Sequence, residues 1–208
     1  MDTHTPRPEA AIEVEQLTIG ADPTAWKRVG FAIEGDMTRV GAVDLHFGTG
    51  EGILGWRLTS DVGEIDGLPV APAAGSKPRD APHPNGVTHI DHLVVFTPDL
   101  ERTTHALEEA GIERRRVREV ETDDGPLRQG FFRFGEVILE VVEHANVEPG
   151  PARFWGITFA VEDLDACAEL LGDRLGSIRD AVQPGRRIAT VRREAELGLP
   201  VALISAAG

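Results

Sequence analysis

The sequence predicts an α+β fold in which a β-α-β-β-β unit is repeated along the chain. Residues 88–145 and residues 152–206 each contain a strand, then a helix, then three further strands. The two segments can be laid over each other on Pro98-Asp99-Leu100 and Glu162-Asp163-Leu164. A weaker version of the same order occupies residues 11–60, with a shortened helix.

The middle segment shows the element order most clearly. His92–Phe96 is a short, mainly apolar strand, and a helix follows it with Thr97 or Asp99 as its N-cap and Gly111 at its end. Alternating β-like runs then predict three strands, over Arg116–Thr122, Leu127–Phe134 and Glu136–Glu143.

The third segment repeats this order. Phe154–Val161 is predicted as a strand, and Asp163–Leu175 as a helix because its apolar residues recur at helical spacing. Three closing strands are predicted over Ser177–Val182, Arg187–Arg193 and Leu199–Ser205.

Prolines and polar runs divide the chain. Residues 1–10 are polar and are predicted to be a disordered lead, followed by the N-terminal unit at 11–60. Residues 61–87 contain five prolines and are predicted to be an extended linker. The remaining 88–206 form the predicted domain of two modules.

Composition excludes several classes of function. The 208 residues carry 21 Lys and Arg against 35 Asp and Glu, a net charge of −14, which argues against binding to nucleic acids or anionic membranes. The one cysteine rules out an intramolecular disulfide and a four-cysteine zinc site. No apolar run approaches the roughly 20 residues of a membrane-spanning helix. The N-terminus lacks the pattern of a secretory signal, so a cytoplasmic location is expected.

His92 and Glu140 are the main candidates for chemistry. Glu140 interrupts the apolar run Val137–Val142. If this strand is buried on both faces, the carboxylate needs a cation, a metal or a raised pKa. The alternative is that Glu140 lies on a solvated face and pairs with an arginine such as Arg133.

The run from His89 to Leu100, followed by Phe132–Glu140, resembles a module of the vicinal oxygen chelate superfamily. That superfamily includes glyoxalase I, extradiol dioxygenases, methylmalonyl-CoA epimerase and the fosfomycin- and bleomycin-resistance proteins. The resemblance implies tandem β-α-β-β-β modules whose curved mixed sheets surround a cavity, with the N-terminal unit as an extra, degenerate module. It does not fix the reaction.

The resemblance also implies a metal site, with His92 and Glu140 as ligands of a divalent ion such as Zn, Fe, Mn or Ni. In the third segment the matching positions hold Gly156 and Leu203, so half of the ligand set is missing. Gln16, at the equivalent place in the first segment, would be a third ligand if the first two modules formed the cavity. Alternatively, a homodimer would pair two copies of the middle module. Without either arrangement the site is vestigial and holds no metal.

Three kinds of function therefore remain open. The favoured one is a glyoxalase-like small-molecule-binding protein in which Phe131, Phe132, Trp155 and Phe159 line an apolar cavity. Another is a metal-dependent lyase, isomerase or dioxygenase, with Glu143 or His144 as a further base. The last is an interaction protein with a vestigial cavity.

Two other features are weighed against simpler explanations. The arginines at 114–116 and 118 could hold an anionic substrate, but a solvated strand edge is the more ordinary interpretation. Cys167 lies on the apolar stripe of its helix and is expected to be a buried core thiol.

Overall fold

The computed structural model describes residues 11–122 and 125–206, so the predicted lead at 1–10 lies outside the described residues. The described residues form twelve strands and three α-helices in two sheets. The α+β class and the repeated β-α-β-β-β unit are both confirmed by the order of these elements.

The middle and third segments build one sheet of eight strands. The middle module consists of β5 (Val87–Thr97), α2 (Leu100–Glu109), β6 (Arg114–Thr122), β7 (Gly125–Phe134) and β8 (Val137–His144). The third module consists of β9 (Arg153–Val161), α3 (Leu164–Leu171), β10 (Arg179–Asp180), β11 (Arg187–Thr190) and β12 (Val201–Ser205). Their strands lie in the order β10-β11-β12-β9-β5-β8-β7-β6.

Strand pairing is equivalent in the two modules. The first strand of each runs parallel to the last, β5 with β8 and β9 with β12. The two modules meet where β5 and β9 pair antiparallel. The cavity is therefore built by the middle and third modules, not by the first and middle ones.

The N-terminal unit forms a separate sheet. It consists of β1 (Val14–Gly20), α1 (Pro23–Arg28), β2 (Met37–Val40), β3 (Val43–Gly48) and β4 (Gly52–Leu58), with the strand order β2-β3-β1-β4. The first strand again has a parallel neighbour, β3, but β4 lies antiparallel on its other side. Thus the element order of a module is present while its strand order is not.

Aspartates begin all three helices. Asp99 and Asp163 accept hydrogen bonds from main-chain N–H groups in the first turns of α2 and α3, and Asp22 does the same for α1. The buried faces of α2 and α3 carry apolar side chains, including Leu107 and Leu171. These helices cover one face of the large sheet and leave the other available for a pocket.

Aromatic side chains join the two sheets. Trp26, which is fully buried, has its ring centroid 5.9 Å from that of Phe159. Trp56 lies 5.2 Å from Phe134 and from Phe154. Each such ring buries a large apolar area, so the N-terminal sheet packs firmly against the large sheet.

The proline-rich stretch packs against the rest of the chain. Ile65 and Leu68 are buried in the common core. The side chain of Asn85 donates to the carbonyl of Val29 at 2.8 Å, which ties the end of the linker to the N-terminal unit. In the described part of the chain, no helix is long and apolar enough to cross a membrane.

Candidate functional site

A bulge in β5 turns two neighbouring side chains to the same side. Ile90 pairs with Phe159 and His92 pairs with Thr158, so Asp91 is an extra residue opposite one step of β9. In a regular strand, neighbouring side chains point to opposite faces. Here Asp91 Oδ2 lies 2.8 Å from His92 Nδ1. The bulge therefore creates an Asp–His pair.

Asp91 is also held from the third module. Arg186 Nη1 lies 2.6 Å from Asp91 Oδ1, and both side chains are nearly buried. The Nε of Arg186 donates to the carbonyl of Ser205, which fixes the guanidinium. Burial by itself would raise the pKa of the Asp91 carboxyl, but the hydrogen bonds from His92 and Arg186 outweigh it and lower that pKa below its usual value. Asp91 is thus a fixed anion that orients the imidazole.

The other ring nitrogen of His92 faces Glu140. Glu140 Oε2 lies 3.9 Å from His92 Nε2, too far for a hydrogen bond. The side-chain amide of Gln129 donates to Glu140 Oε1. Glu140 therefore does not pair with Arg133, whose Nε donates to the carbonyl of Gly135. The chain of contacts runs from Arg186 through Asp91 and His92 towards Glu140 and Gln129.

This chain of contacts opens into a pocket of about 500 Å³. His92, Glu140 and Gln129 are among its polar lining. Phe131, Val182 and Ile188 are among its apolar lining. The volume lies in the range of small-molecule sites, which are mainly apolar with a few convergent polar groups.

Arginines supply the positive charge of this pocket. Arg116 and Arg118 come from β6, and Arg179 comes from β10. Arg116 lies over the ring of Phe131, with its guanidinium carbon 4.7 Å from the ring centroid. Because β6 and β10 are the two outer strands of the eight-stranded sheet, its edges curve towards a common cavity.

Of the four aromatic residues predicted to line the cavity, three lie away from this pocket. Phe132 is buried near Leu100 of α2. The side chains of both residues come within 3.2 Å of the position that a Cβ atom on Gly130 would occupy. Phe159 is fully buried, with its ring 5.1 Å from that of Phe31. Trp155 is half-exposed and stacks on Phe96. It is Phe131 that lines the pocket with His92 and Glu140.

Gln16 also lies away from His92. Its amide nitrogen is 3.3 Å from the carbonyl oxygen of Pro72, and its amide oxygen accepts from the N–H of Ala74. These contacts hold the linker against β1. In this arrangement Gln16 is part of the N-terminal unit and not of the pocket.

The third module cannot provide the missing metal ligands. A Cβ added at Gly156 would lie 2.7 Å from the carbonyl oxygen of Pro200, which also accepts the N–H of Ile157 at 3.1 Å. The strand register also changes which residue matches Glu140. In the middle module Glu140 pairs with Val94, and the equivalent pair in the third module is Ala202 with Thr158. The counterpart of Glu140 is therefore Ala202 and not Leu203. Neither alanine nor leucine is a ligand.

The donor set therefore falls short of a usual metal site. In residues 11–122 and 125–206, no group of three or more His, Cys, Asp or Glu side chains is arranged to hold a metal ion. His92 and Glu140 are two donors, whereas catalytic zinc sites usually have three protein ligands. The residues present do not fit a metal held by one chain alone.

Other candidate groups have structural roles. Glu143 accepts the N–H of Leu100 at the start of α2 and pairs with Arg128, while His144 accepts the N–H of Asn146. Burial raises the pKa of the Cys167 thiol to about 11, so thiolate is scarce near neutral pH and a nucleophilic role is disfavoured.

Sequence reasoning missed Asp91, Arg186 and Gln129. Asp91 stands beside His92 in the motif, but strict alternation places neighbouring residues on opposite faces. Arg186 lies just after Pro184-Gly185, in a loop whose path no periodicity reveals. Gln129 faces the pocket because it shares a strand face with Phe131, a signal that becomes usable once the inward face of β7 is known.

Comparisons with known proteins return similarity to solved structures alone, since no protein-family model and no curated protein matches this sequence. Methylmalonyl-CoA epimerase from Mycobacterium tuberculosis is 19% identical, with a TM-score of 0.47 over 59% of this chain and 91% of that chain. A Streptomyces coelicolor methylmalonyl-CoA epimerase variant in complex with 2-nitronate-propionyl-CoA is 21% identical, with a TM-score of 0.48 over 59% and 96%.

A hypothetical protein from Bacillus halodurans is 11% identical, with a TM-score of 0.47 over 57% of this chain and 94% of that chain. The epimerases come from the superfamily that the sequence resembles. Because these identities and TM-scores are low, the fold rests on the strand order described above. The function rests on the pocket.

Proposed function

We propose that this chain is a glyoxalase-like small-molecule-binding protein with an incomplete metal site. The observation that carries this proposal is the network of Asp91, His92 and Glu140, which opens into a pocket of about 500 Å³. A network built only for stability would gain nothing from facing a cavity. A ligand in this pocket would meet an oriented imidazole, a carboxylate and an aromatic face.

Binding can be tested with N-phenyl-1-naphthylamine, an uncharged probe that fluoresces in apolar sites. Phe131→Ala should weaken its binding about tenfold, the loss expected for about 1.4 kcal/mol of aromatic contact. Trp155→Ala is the matched control, since it removes an aromatic side chain outside the pocket and should leave the affinity unchanged. Absence of saturable binding, or equal losses in both variants, would contradict the proposal.

A second candidate is a metal-dependent lyase, isomerase or dioxygenase acting through His92 and Glu140. The hydrogen bond from Asp91 favours it, because a histidine that binds a metal usually has its second ring nitrogen held by a carboxylate or carbonyl. The metal would act as a Lewis acid on substrate oxygens. The further ligands would have to come from the substrate or from a second chain.

Metal analysis of the purified protein distinguishes the two candidates. A stoichiometric divalent ion that is lost in His92→Ala and Glu140→Ala, and kept in His105→Ala, would support the metal-dependent enzyme. His105 is a suitable control because it is exposed and pairs with Glu109 on α2. No affinity for added Zn, Ni, Mn or Fe would eliminate that candidate and leave the proposed binding protein.

A further inference from the structure

Three arginines reach the pocket from opposite edges of the large sheet. Arg116 and Arg118 are two residues apart on β6 and share a face, and Arg179 lies on β10. Their strands are seven positions apart in the sheet order, so no local contact requires these side chains to be near one another. The curvature of the sheet brings them to one cavity.

None of the three has an acidic partner in the described part of the chain. Among residues 11–122 and 125–206, no carboxylate oxygen lies within 4.0 Å of their guanidinium nitrogens. The neighbouring arginines behave differently, since Arg114 pairs with Glu101 and Arg128 pairs with three glutamates. In a chain with a net charge of −14, unpaired cations at a pocket call for an explanation.

The stacking of Arg116 on Phe131 adds to this argument. The guanidinium lies over the ring face, so its N–H groups are held near the pocket while they make no hydrogen bond to the described residues. A guanidinium fixed in this way presents a planar set of donors that matches carboxylate and phosphate oxygens. A solvated strand edge would not need such an arrangement.

The charges in the pocket are also separated. Glu140 lies beside His92, where it would repel an anion, and β7 separates it from the arginines of β6, since Phe131 pairs with Glu140 on one side and with Arg116 on the other. Phe131, Val182 and Ile188 supply apolar surface. The site therefore suits a molecule with an anionic group at one end, an apolar body, and a polar group that can reach His92.

We propose that the pocket recognises an organic anion whose carboxylate or phosphate is held by Arg116, Arg118 and Arg179. This inference rests on the proposed function and names the chemical class of its ligand. The solvated-edge interpretation of the arginines explains Arg115, which pairs with Glu113, two residues earlier in the chain. It does not explain why cations from β6 and β10 converge.

The test compares two probes that share an apolar body. 8-Anilino-1-naphthalenesulfonate carries a sulfonate, and N-phenyl-1-naphthylamine lacks it. We expect the folded full chain to bind the sulfonate more tightly, and added salt to weaken that binding alone because ions screen exposed charges. Each single change to Gln at the three arginines should weaken sulfonate binding about threefold, and the triple variant on the order of 30-fold, because the three losses multiply. The uncharged probe should bind all variants equally.

Arg115→Gln is the control, because it removes the same charge from β6 without touching the pocket. Equal affinities for the two probes, or equal losses in Arg115→Gln and Arg116→Gln, would overturn the anion proposal. The proposed function would still stand if the uncharged probe remained sensitive to Phe131→Ala, and it would fall if neither probe bound. Displacement by octanoate or by octyl phosphate would support the anion proposal and show which group is preferred. Equal displacement by octanol would count against it.

Discussion

Two regions of the molecule contain the same three kinds of polar side chain in different surroundings. In the N-terminal unit, Arg39 Nη1 lies 2.6 Å from Asp44 Oδ1, and His83 is buried nearby with its Nε2 3.0 Å from the carbonyl oxygen of Arg39. At the pocket, Arg186 and Asp91 are also 2.6 Å apart, and Asp91 holds His92. Each region combines a buried aspartate, an arginine and a histidine.

The histidines differ in what their second nitrogen meets. His83 Nδ1 accepts the main-chain N–H of Ala32 at 3.1 Å, so Nε2 carries the proton that is donated to the carbonyl of Arg39. Both nitrogens are used by the main chain. His92 uses Nδ1 for Asp91 and turns Nε2 towards Glu140 and the pocket. One imidazole joins parts of the fold, whereas the other is available to a ligand.

The comparison shows that burial alone does not identify a functional histidine. A carboxylate partner also does not, because Asp44 and Asp91 are both buried and paired. What distinguishes His92 is one ring nitrogen without a hydrogen bond to the described residues, facing a cavity.

Replacing Arg39 or Arg186 should show whether Asp44 or Asp91 has a second side-chain partner. Arg39→Gln leaves Asp44 with no other side-chain partner among the described residues, and we expect it to lower the free energy of unfolding by about 3–5 kcal/mol. Arg186→Gln leaves Asp91 paired with His92, so a smaller loss of about 1–3 kcal/mol is expected. Urea unfolding at neutral pH measures both.

Arg187→Gln is the control for both variants. Arg187 pairs with Asp165 at 2.7 Å, but both side chains are exposed, so the change should leave the free energy of unfolding close to that of the native chain. If Arg187→Gln cost as much as Arg39→Gln, burial would not be the reason for the larger loss. If Arg186→Gln cost more than Arg39→Gln, the idea that His92 supports Asp91 would be wrong.

The sequence was sufficient to predict the repeated element order, and it singled out His92 and Glu140, which both line the pocket. Alternation, helix caps and glycine turns are local signals, and a single acid within an apolar run is visible without a structure. The two modules also have matching helix starts at Asp99 and Asp163, which let their strands be aligned.

The sequence was not sufficient to predict which side of a strand faces the pocket. Phe131 and Phe132 are adjacent and equally apolar, so periodicity does not distinguish the pocket face from the core face of β7. The bulge at Asp91 shifts the alternation in β5, and the match of Leu203 to Glu140 was off by one residue. Such shifts depend on strand pairing, which is a long-range property.

Exchanging the two histidines for alanine should separate stability from binding. His83→Ala leaves the N–H of Ala32 and the carbonyl of Arg39 without their partner, and we expect a loss of about 2–3 kcal/mol in the free energy of unfolding. His92→Ala breaks one hydrogen bond beside a pocket that water can enter, and about 1 kcal/mol is expected.

The two variants should have the opposite order of effects on ligand affinity, with the larger effect in His92→Ala. His92→Ala should change the affinity for a probe that reaches the polar end of the pocket, and His83→Ala should leave it unchanged at a temperature where the protein stays folded. Fluorescence titration of both variants measures this. A larger loss of stability in His92→Ala than in His83→Ala would reverse the assigned roles of the two residues.

His83 should also make the stability of the protein depend on pH. Burial, opposed in part by the hydrogen bond to the Arg39 carbonyl and by the charge of Asp80, lowers the pKa of His83 below its ordinary value of 6.5. The unfolded chain therefore binds a proton that the folded chain excludes, and the contribution of His83 to stability is lost as the pH falls below about 6.5. One proton gives at most about 1.4 kcal/mol per pH unit.

Urea unfolding between pH 7.5 and 5.5 should thus show a smaller pH dependence in His83→Gln than in the native chain. His105→Gln, which changes an exposed histidine, should retain the native slope. A His83→Gln slope as steep as the native one would show that the acid sensitivity has another source.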